Sequence, residues 1–218
     1  MYNNIMDKKV IIFDLDGTLL NTLEDLTDST NFALKSFNFP EKNINQIRSY
    51  VGNGVSKLIE RAIPNGLSNP DFEECLSLFK KHYAENMYNK TKPYNGIIKL
   101  LKDLKIKGYK TAVISNKFDS AVKKLCEKYF KNLIDLAVGE NETEGLKKKP
   151  SPDMVVKVIE IFNLPALFVG DSEVDIQTAI NAKIPCISVS WGFKDNEFLF
   201  SNGAKVIIDN PDEIFKYL

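Results

Sequence analysis

Six short apolar runs rich in β-branched residues recur along the chain. Near-continuous hydrophobicity of this kind is typical of strands buried on both faces of a parallel sheet. The predicted strands are residues 10–13, 111–114, 134–138, 167–169, 187–189 and 206–208. Amphipathic spacing predicts helices over residues 96–107, 118–130, 151–163, 174–182 and 212–218. Because strands and helices alternate, we predict an α/β fold with a doubly wound, mainly parallel sheet.

One long stretch breaks this alternation. Residues 20–92 contain no convincing strand, and their apolar positions have helical spacing, as in Val55, Leu58, Ile59 and Ala62. The turn Pro93-Tyr94-Asn95-Gly96 would return the chain to the sheet. We therefore predict an α/β core domain of residues 1–19 and 93–218, interrupted by an all-α domain of residues 20–92.

Composition narrows the class of protein. The 29 basic and 29 acidic residues balance, which argues against a general nucleic-acid binder or a membrane-surface binder. No apolar stretch approaches the ~18 residues that span a bilayer, and the N-terminal apolar run is too short for a signal peptide. Cys75, Cys126 and Cys186 form no C-x-x-C pair, which disfavours a zinc site or a disulfide framework. We expect a cytoplasmic protein, and whether it is a monomer or a homodimer stays open.

The most specific motif, Asp14-Leu15-Asp16-Gly17-Thr18, directly follows the first predicted strand. Ligands of open α/β sheets bind at the carboxyl ends of the strands, where these carboxylates would lie. An EF-hand loop also contains D-x-D-G, but it would put Ile12 and Leu23 at ligand positions and would follow a helix. A solvated turn is the plainer alternative.

Three further motifs follow in a fixed order, and each lies after a predicted strand or opens a predicted helix. They are Ser115-Asn116-Lys117, Lys149-Pro150-Ser151-Pro152 and Gly170-Asp171-Ser172-Glu173-Val174-Asp175. With the first motif, they resemble the haloacid dehalogenase superfamily of phosphatases over essentially the whole chain. The resemblance implies a Rossmann-like core, a helical cap formed by the insertion, and Mg²⁺-dependent hydrolysis of a small phosphorylated metabolite.

Three residues would carry the chemistry. Asp14 is the candidate nucleophile, because a covalent aspartyl-phosphate divides a difficult hydrolysis into two easier steps. Asp16 would protonate the leaving alcohol and later deprotonate water. Lys149 would supply positive charge to the phosphoryl group, and the Pro150-x-Pro152 sequence that follows it selects it by resemblance.

The carboxylates also suggest a magnesium site. Mg²⁺ prefers carboxylates, phosphate and water, and Asp14 and Asp171 fit as side-chain ligands. The resemblance implies the Asp16 backbone carbonyl as a third protein ligand. Asp175 would orient metal-bound water or Lys149 without binding the metal itself, and stabilisation of the first turn of a helix is the alternative.

Phosphate contacts are expected from Ser115, from the Asn116 backbone amide and from Thr18. Ser115 and Asn116 end a predicted strand and open a predicted helix, which is a ready anion site. Ser115 as a plain helix cap is the alternative. We expect the Thr18 side chain to bond locally within its own motif.

Substrate selection is expected in the insertion. Gly52-Asn53-Gly54 is similar to the cap loop of phosphoglycolate phosphatases, and exposed amides there would bind a small carboxylate. A helix-capping turn is the alternative. Arg61 either binds that carboxylate or lies on the helix surface. For His82 a packing or solvated role is favoured, and the Trp191-Gly192-Phe193 loop lies near the site or in the core.

We therefore favour a phosphatase for 2-phosphoglycolate. The alternatives are a related phosphatase, a pyrophosphatase or a sugar-phosphate mutase of the same superfamily. A non-enzymatic alternative is a catalytically silent binding module, which would be expected to have lost Asp14, Asp16, Lys149 or Asp171, and none is lost.

Overall fold

The computed structural model describes residues 8–141 and 145–218. It divides the chain into two compact units, an α/β unit of Met1–Leu19 with Pro93–Leu218 and a helical unit of Leu20–Lys92. Residues 1–7 of the predicted core domain lie outside the described residues.

Eight strands occur among the described residues. They are β1 (Val10–Phe13), β2 (Leu20–Asn21), β3 (Lys92–Pro93), β4 (Lys110–Phe118), β5 (Leu136–Glu140), β6 (Ala166–Gly170), β7 (Cys186–Val189) and β8 (Ile207–Ile208). Six of them form one sheet in the order β5-β4-β1-β6-β7-β8, and all neighbouring strands in it are parallel. The chain winds from β1 to one side through β4 and β5 and then to the other through β6, β7 and β8. The predicted doubly wound fold is confirmed.

Nine α-helices accompany these strands in the described part of the chain. They are α1 (Leu23–Ser36), α2 (Ile44–Tyr50), α3 (Val55–Ala62), α4 (Phe72–Asn86), α5 (Ile97–Ile106), α6 (Asp119–Phe130), α7 (Asp153–Phe162), α8 (Glu173–Ala182) and α9 (Asn196–Ser201). Helices α7 and α8 cover one face of the sheet, where Met154, Val155 and Ala179 join a buried cluster with Ile12 and Phe168. All four residues of β1 are buried, which explains its unbroken apolar sequence.

The register of the sheet decides which motifs meet. Phe13 at the end of β1 lies opposite Val113 of β4 and Val169 of β6. Because the strands are parallel, the polar residues that follow these three positions emerge at the same edge. Asp14 and Asp171 are therefore brought together although they are far apart in sequence.

A bulge interrupts the pairing of β4 with β5. Ile114 lies opposite Val138 and Phe118 opposite Glu140, so residues 115–117 face only Gly139. A Cβ atom on Gly139 would lie 2.7 Å from the Lys117 carbonyl oxygen and 2.4 Å from Asp119 Cα, so only glycine fits there. Bulges redirect side chains next to active sites, and this one contains all three residues of the second motif.

In the helical unit, α1 packs on α4, and α2 and α3 pack beside them. Asp25 of α1 is buried and accepts hydrogen bonds from the backbone N–H groups of Lys90 and Thr91. These bonds fasten the end of the unit to its first helix. The two-residue strands β2 and β3, which the sequence did not predict, pair with one another.

Three further boundaries differ from prediction. The segment predicted as a C-terminal helix is a 3₁₀ helix, Pro211–Tyr217. Helix α9 was not predicted from the sequence, and its start is marked by Asp195, which accepts a hydrogen bond from the Phe198 N–H. Strand β5 begins at Leu136, two residues later than predicted. The helices in the described ranges are all too short or too polar to act as membrane-spanning segments.

Candidate active site

Asp14 follows β1 directly and lies buried beside a buried lysine. The Nζ atom of Lys149, from the segment before α7, lies 2.8 Å from Asp14 Oδ1 and donates a hydrogen bond of 2.6 Å to Asp175 Oδ1. The Lys149 side chain is only 2% exposed. Ion pairs shielded from water in this way are screened little by salt, so the ammonium is a fixed charge beside the carboxylate.

Asp171, which follows β6, is oriented by two hydrogen bonds. The Thr18 hydroxyl donates to Oδ1 at 3.0 Å, and the Phe193 backbone N–H donates to Oδ2 at 2.8 Å. The loop that carries Phe193 is itself fixed, because Trp191 Nε1 donates to the Thr18 carbonyl oxygen at 3.0 Å. The Trp191 loop thus belongs to the surroundings of Asp171.

Two glycines allow this close approach. A Cβ atom on Gly17, which has φ +88°, would lie 2.3 Å from Asp171 Oδ2. A Cβ atom on Gly192 would lie 2.2 Å from Asp171 Cβ. Any side chain at either position would therefore displace the carboxylate.

Three carboxylates gather here in a group that could hold a metal ion. Asp14, Asp171 and Asp175 are all buried, and one oxygen from each lies within 4.8 Å of the others. When ionised, they carry two more negative charges than the Lys149 ammonium balances. Oxygen ligands with this excess charge suit a hard divalent cation, so the residues present fit the metal that the sequence analysis expected.

The pKa values reflect the same crowding. Burial, and then the neighbouring carboxylates of Asp175 and Asp171, raise the pKa of Asp14 well above its usual range, although Lys149 opposes this. Burial and Asp175 raise the pKa of Asp171 to about 7. Burial alone would lower the pKa of Lys149, but Asp14 and Asp175 outweigh it and the net pKa is raised. A cation among the carboxylates would favour their ionised forms.

Asp175 combines two roles that the sequence analysis left as alternatives. Its Oδ2 accepts hydrogen bonds from the Ser172 N–H at 3.1 Å and the Ser172 hydroxyl at 2.7 Å, which stabilises the start of α8. Its Oδ1 accepts the bond from Lys149. Asp175 thus ties the lysine to a helix terminus.

The Asn116 side chain bonds to the backbone of Lys149. Its Nδ2 donates to the Lys149 carbonyl oxygen at 2.9 Å, and its Oδ1 accepts from the Lys149 N–H at 2.7 Å. A side-chain amide that pairs with both backbone groups of one residue fixes the position of that residue. The bulge of β4 therefore also positions the lysine.

Asp16, the second acidic residue of the first motif, forms an ion pair with Lys117. Lys117 Nζ lies 2.9 Å from both carboxylate oxygens of Asp16, and the two side chains are 2% and 12% exposed. Asp14 and Asp16 are thus each paired with a buried ammonium from a different segment of the chain.

In the helical unit, Arg61 bonds to the loop that precedes α3. Its guanidinium donates to the Tyr50 carbonyl oxygen at 2.7 Å and to Asn53 Oδ1 at 2.9 Å. Gly52 and Gly54 have φ values of +124° and +88°, and Gly54 precedes the first residue of α3. Arg61 thus holds the shape of this loop.

Comparison with known proteins identifies the family. The model of the haloacid dehalogenase-like hydrolases matches residues 11–189. The chain belongs to this family. The phosphoglycolate phosphatase of Aquifex aeolicus (strain VF5) is 37% identical over 189 residues, which are 85% of this chain and 86% of that protein.

Solved structures agree with the family assignment. A crystal structure of a protein from Lactobacillus delbrueckii subsp. bulgaricus has a TM-score of 0.91 at 34% identity and covers 97% of this chain and 98% of that one. A predicted phosphoglycolate phosphatase from Haemophilus somnus 129PT has a TM-score of 0.89 at 30% identity, with coverages of 98% and 99%. The fold of this haloacid dehalogenase-like hydrolase is thus shared over nearly its whole length.

The sheet edge brings together Asp14, Lys149, Asp171 and Asp175, as the sequence analysis expected. Two expectations need correction. Thr18 was expected to bond locally, but its hydroxyl donates to Asp171, 153 residues away. Ser115 does not cap α6, because the bulge separates it from the helix and Phe118 occupies the N-cap position. Ser115 Oγ instead accepts a hydrogen bond from the Lys117 N–H.

His82 has a packing role, since its Nδ1 lies 3.0 Å from Ser29 Oγ and its ring stacks on Phe32. Lys117, the Asn116 side chain and the Phe193 amide were not predicted as functional groups. Lys117 and Asn116 lie within the second motif, but alternation along a strand does not reveal a bulge. A backbone amide such as that of Phe193 has no sequence signal.

Proposed function

We propose that this haloacid dehalogenase-like hydrolase is a Mg²⁺-dependent phosphatase that hydrolyses 2-phosphoglycolate through an aspartyl-phosphate on Asp14. The observation that carries the proposal is the buried Asp14 carboxylate at the end of β1, 2.8 Å from Lys149 and beside two further carboxylates. The name of the Aquifex aeolicus relative supports the choice of substrate.

Asp14 and Asp171 would hold the magnesium through their side chains, with the Asp16 backbone carbonyl as a third ligand. Oδ1 of Asp175 accepts from Lys149 and Oδ2 accepts from Ser172 at the start of α8, and we assign Asp175 to positioning Lys149. When bound, Mg²⁺ supplies positive charge that reduces the repulsion between the carboxylates and a phosphate ester.

In the first half of the reaction, an Asp14 carboxylate oxygen attacks phosphorus. The bond between phosphorus and the ester oxygen breaks, and its electron pair leaves with that oxygen. Asp16 donates a proton to the leaving alkoxide, and the alcohol departs. Lys149, held by Asp175 and by Asn116, stabilises the negative charge of the phosphoryl group throughout.

In the second half, water attacks the phosphorus of the aspartyl-phosphate while Asp16 accepts a proton from it. The bond between phosphorus and the Asp14 oxygen breaks, which releases inorganic phosphate and regenerates the Asp14 carboxylate. Asp16 thereby returns to its protonated form, and the cycle closes with no net change in the protein.

We assign phosphate contacts to Ser115 and to the Asn116 backbone amide. Thr18 is reassigned to positioning, because its hydroxyl is engaged by Asp171. We further propose that the helical unit acts as a cap and that amides of Gly52, Asn53 and Gly54 recognise the glycolate carboxylate. Arg61 would contribute by holding that loop in shape.

A substrate panel tests the proposal. We expect kcat/KM for 2-phosphoglycolate to exceed that for glucose phosphates and for pyrophosphate, with activity lost in EDTA and restored by Mg²⁺. If another ester were preferred by tenfold or more, about 1.4 kcal/mol, the substrate assignment would be wrong while the phosphatase assignment stood. Hydrolysis of none of these compounds would contradict both.

A cytoplasmic location is part of the proposal. Cys75, Cys126 and Cys186 are all free thiols, which is consistent with a reducing compartment. Fractionation of cells that produce the protein, with activity followed in each fraction, tests this.

A further inference from the structure

The Lys117–Asp16 pair is costly to build. Lys117 Nζ reaches both oxygens of Asp16 at 2.9 Å from a side chain that is 2% exposed. Removing an ammonium and a carboxylate from water costs several kcal/mol for each ion, and an apolar pair of similar size is often as stable. Stability by itself therefore gives no reason for an ion pair at this place.

The local backbone is shaped to make the pair. Lys117 is the last of the three bulge residues of β4, and regular pleating through this segment would alternate its side chain with that of Asn116. Both residues are buried, with the Asn116 amide bonded to the Lys149 backbone and the Lys117 ammonium paired with Asp16. One bulge thus supplies a partner to Lys149 and a partner to Asp16, two of the groups that act on the ester.

The consequence for Asp16 is geometric. Both of its oxygens lie on one ammonium, so the direction of the carboxylate is set by Lys117. A group that transfers a proton has to lie within hydrogen-bond reach of the reacting oxygen, and a misplacement of about 1 Å can cost on the order of 10²-fold in rate.

We infer that Lys117 is a positioning residue that holds the Asp16 carboxyl group in place for the transfer of its proton to the leaving group. The inference rests on the proposed function of Asp16 and deepens it. Lys117 acts through Asp16, whereas Lys149 acts on the phosphoryl group.

The test compares three esters in the variant Lys117→Met, which keeps the length of the side chain and removes its charge. The alkyl esters 2-phosphoglycolate and ethyl phosphate need a proton on their leaving oxygen, whereas p-nitrophenolate leaves as a stable anion. Since kcat/KM reports the steps up to release of the leaving group, we expect it to fall on the order of 10²-fold for both alkyl esters and less than about tenfold for p-nitrophenyl phosphate.

Two other patterns would overturn the inference. An equal fall for all three esters would mean that Lys117 serves the structure or the phosphoryl group. A fall for 2-phosphoglycolate alone would mean that Lys117 recognises the carboxylate of the substrate. The matched control is Lys124→Met on α6, an exposed lysine whose loss should leave all three values unchanged.

A second variant covers the case in which Lys117→Met does not fold. Asp16→Asn/Lys117→Met removes both charges, so no unpaired ion stays buried. If Lys117 acts through Asp16, this double variant should match Asp16→Asn with p-nitrophenyl phosphate to within about twofold, since coupled residues are not additive. A further loss of tenfold or more would contradict the inference.

A structural measurement separates this inference from the proposed function. In a crystal structure of Lys117→Met, the Asp16 carboxylate should adopt a different rotamer, and an unmoved carboxylate would overturn the inference. If the wild-type protein hydrolysed none of the three esters, the proposed phosphatase would be wrong, while the position of Asp16 in the variant would still decide what Lys117 does.

Discussion

The carboxyl edge of the sheet and the Gly52–Gly54 loop of the helical unit use their charged groups in opposite ways. At the sheet edge, Asp14, Lys149 and Asp171 are buried, and other segments of the chain hold each in place. In the loop, the exposed Arg61 bonds to neighbours 8 and 11 residues away. Buried charges interact strongly and hold their side chains in fixed positions, whereas the interactions of exposed charges are screened by water. We therefore expect substitutions at the edge to affect the reaction far more than substitutions in the loop.

The largest effect is expected from Asp14→Asn. The amide cannot act as the nucleophile, so turnover should fall at least about 10⁴-fold, and beryllium fluoride should no longer form a stable mimic of the phosphoenzyme. Steady-state kinetics and ¹⁹F NMR of the trapped complex measure both. The exposed Asp212→Asn in the same unit is the control, and wild-type turnover by Asp14→Asn would refute the mechanism.

Gly17→Ala tests how tightly the edge is packed. Its Cβ would overlap Asp171 Oδ2, and alanine at φ +88° adds strain, so we expect the free energy of unfolding to fall by about 2–4 kcal/mol and Mg²⁺ affinity to fall with it. Gly203→Ala is matched for strain, with φ +96° and its nearest neighbour at 3.8 Å. Thermal unfolding and calorimetric titration with Mg²⁺ compare the two, and equal effects would show that packing against Asp171 is unimportant.

A smaller effect is expected from Asn116→Asp. This substitution keeps the shape but replaces the donor to the Lys149 carbonyl oxygen with an acceptor, so Lys149 should shift and kcat/KM should fall about tenfold. Asn181→Asp removes a similar donor to the next carbonyl, that of Pro150, but at the exposed surface. Unchanged kinetics in Asn116→Asp, or an equal loss in Asn181→Asp, would mean that the Asn116 side chain does not position Lys149.

The smallest effect is expected in the helical unit. If Arg61 only shapes the loop, Arg61→Ala and Asn53→Ala should each lower kcat/KM for 2-phosphoglycolate by about 3- to 10-fold and change the free energy of unfolding by less than about 1 kcal/mol. The exposed Arg48→Ala is the control. A loss above about 100-fold in Arg61→Ala alone, with ethyl phosphate unaffected, would instead indicate direct contact with the substrate carboxylate.

The sequence predicted the parts of this site whose signal is local. Asp14 and Asp171 each follow an apolar run, and the carboxyl ends of parallel strands lie at one edge, so the hydrophobic pattern predicts that both lie at that edge. The partner of Thr18 could not be predicted, because Asp171 lies 153 residues away and only the register joins them. For the same reason, the sequence indicated a loop at Trp191 but could not predict that this loop bonds to Thr18 and Asp171.

The hydrophobic pattern by itself determined the doubly wound sheet, the helical insertion and the edge at which the carboxylates lie, because burial on both faces leaves a periodic signal in the chain. Tertiary structure alone decided how those carboxylates are held. A bulge opposite Gly139 turns Asn116 onto Lys149 and Lys117 onto Asp16, and two glycines let the backbone of their loops approach the Asp171 side chain closely. Most of these pairings join residues that are far apart in the chain, and no periodicity within a segment records them.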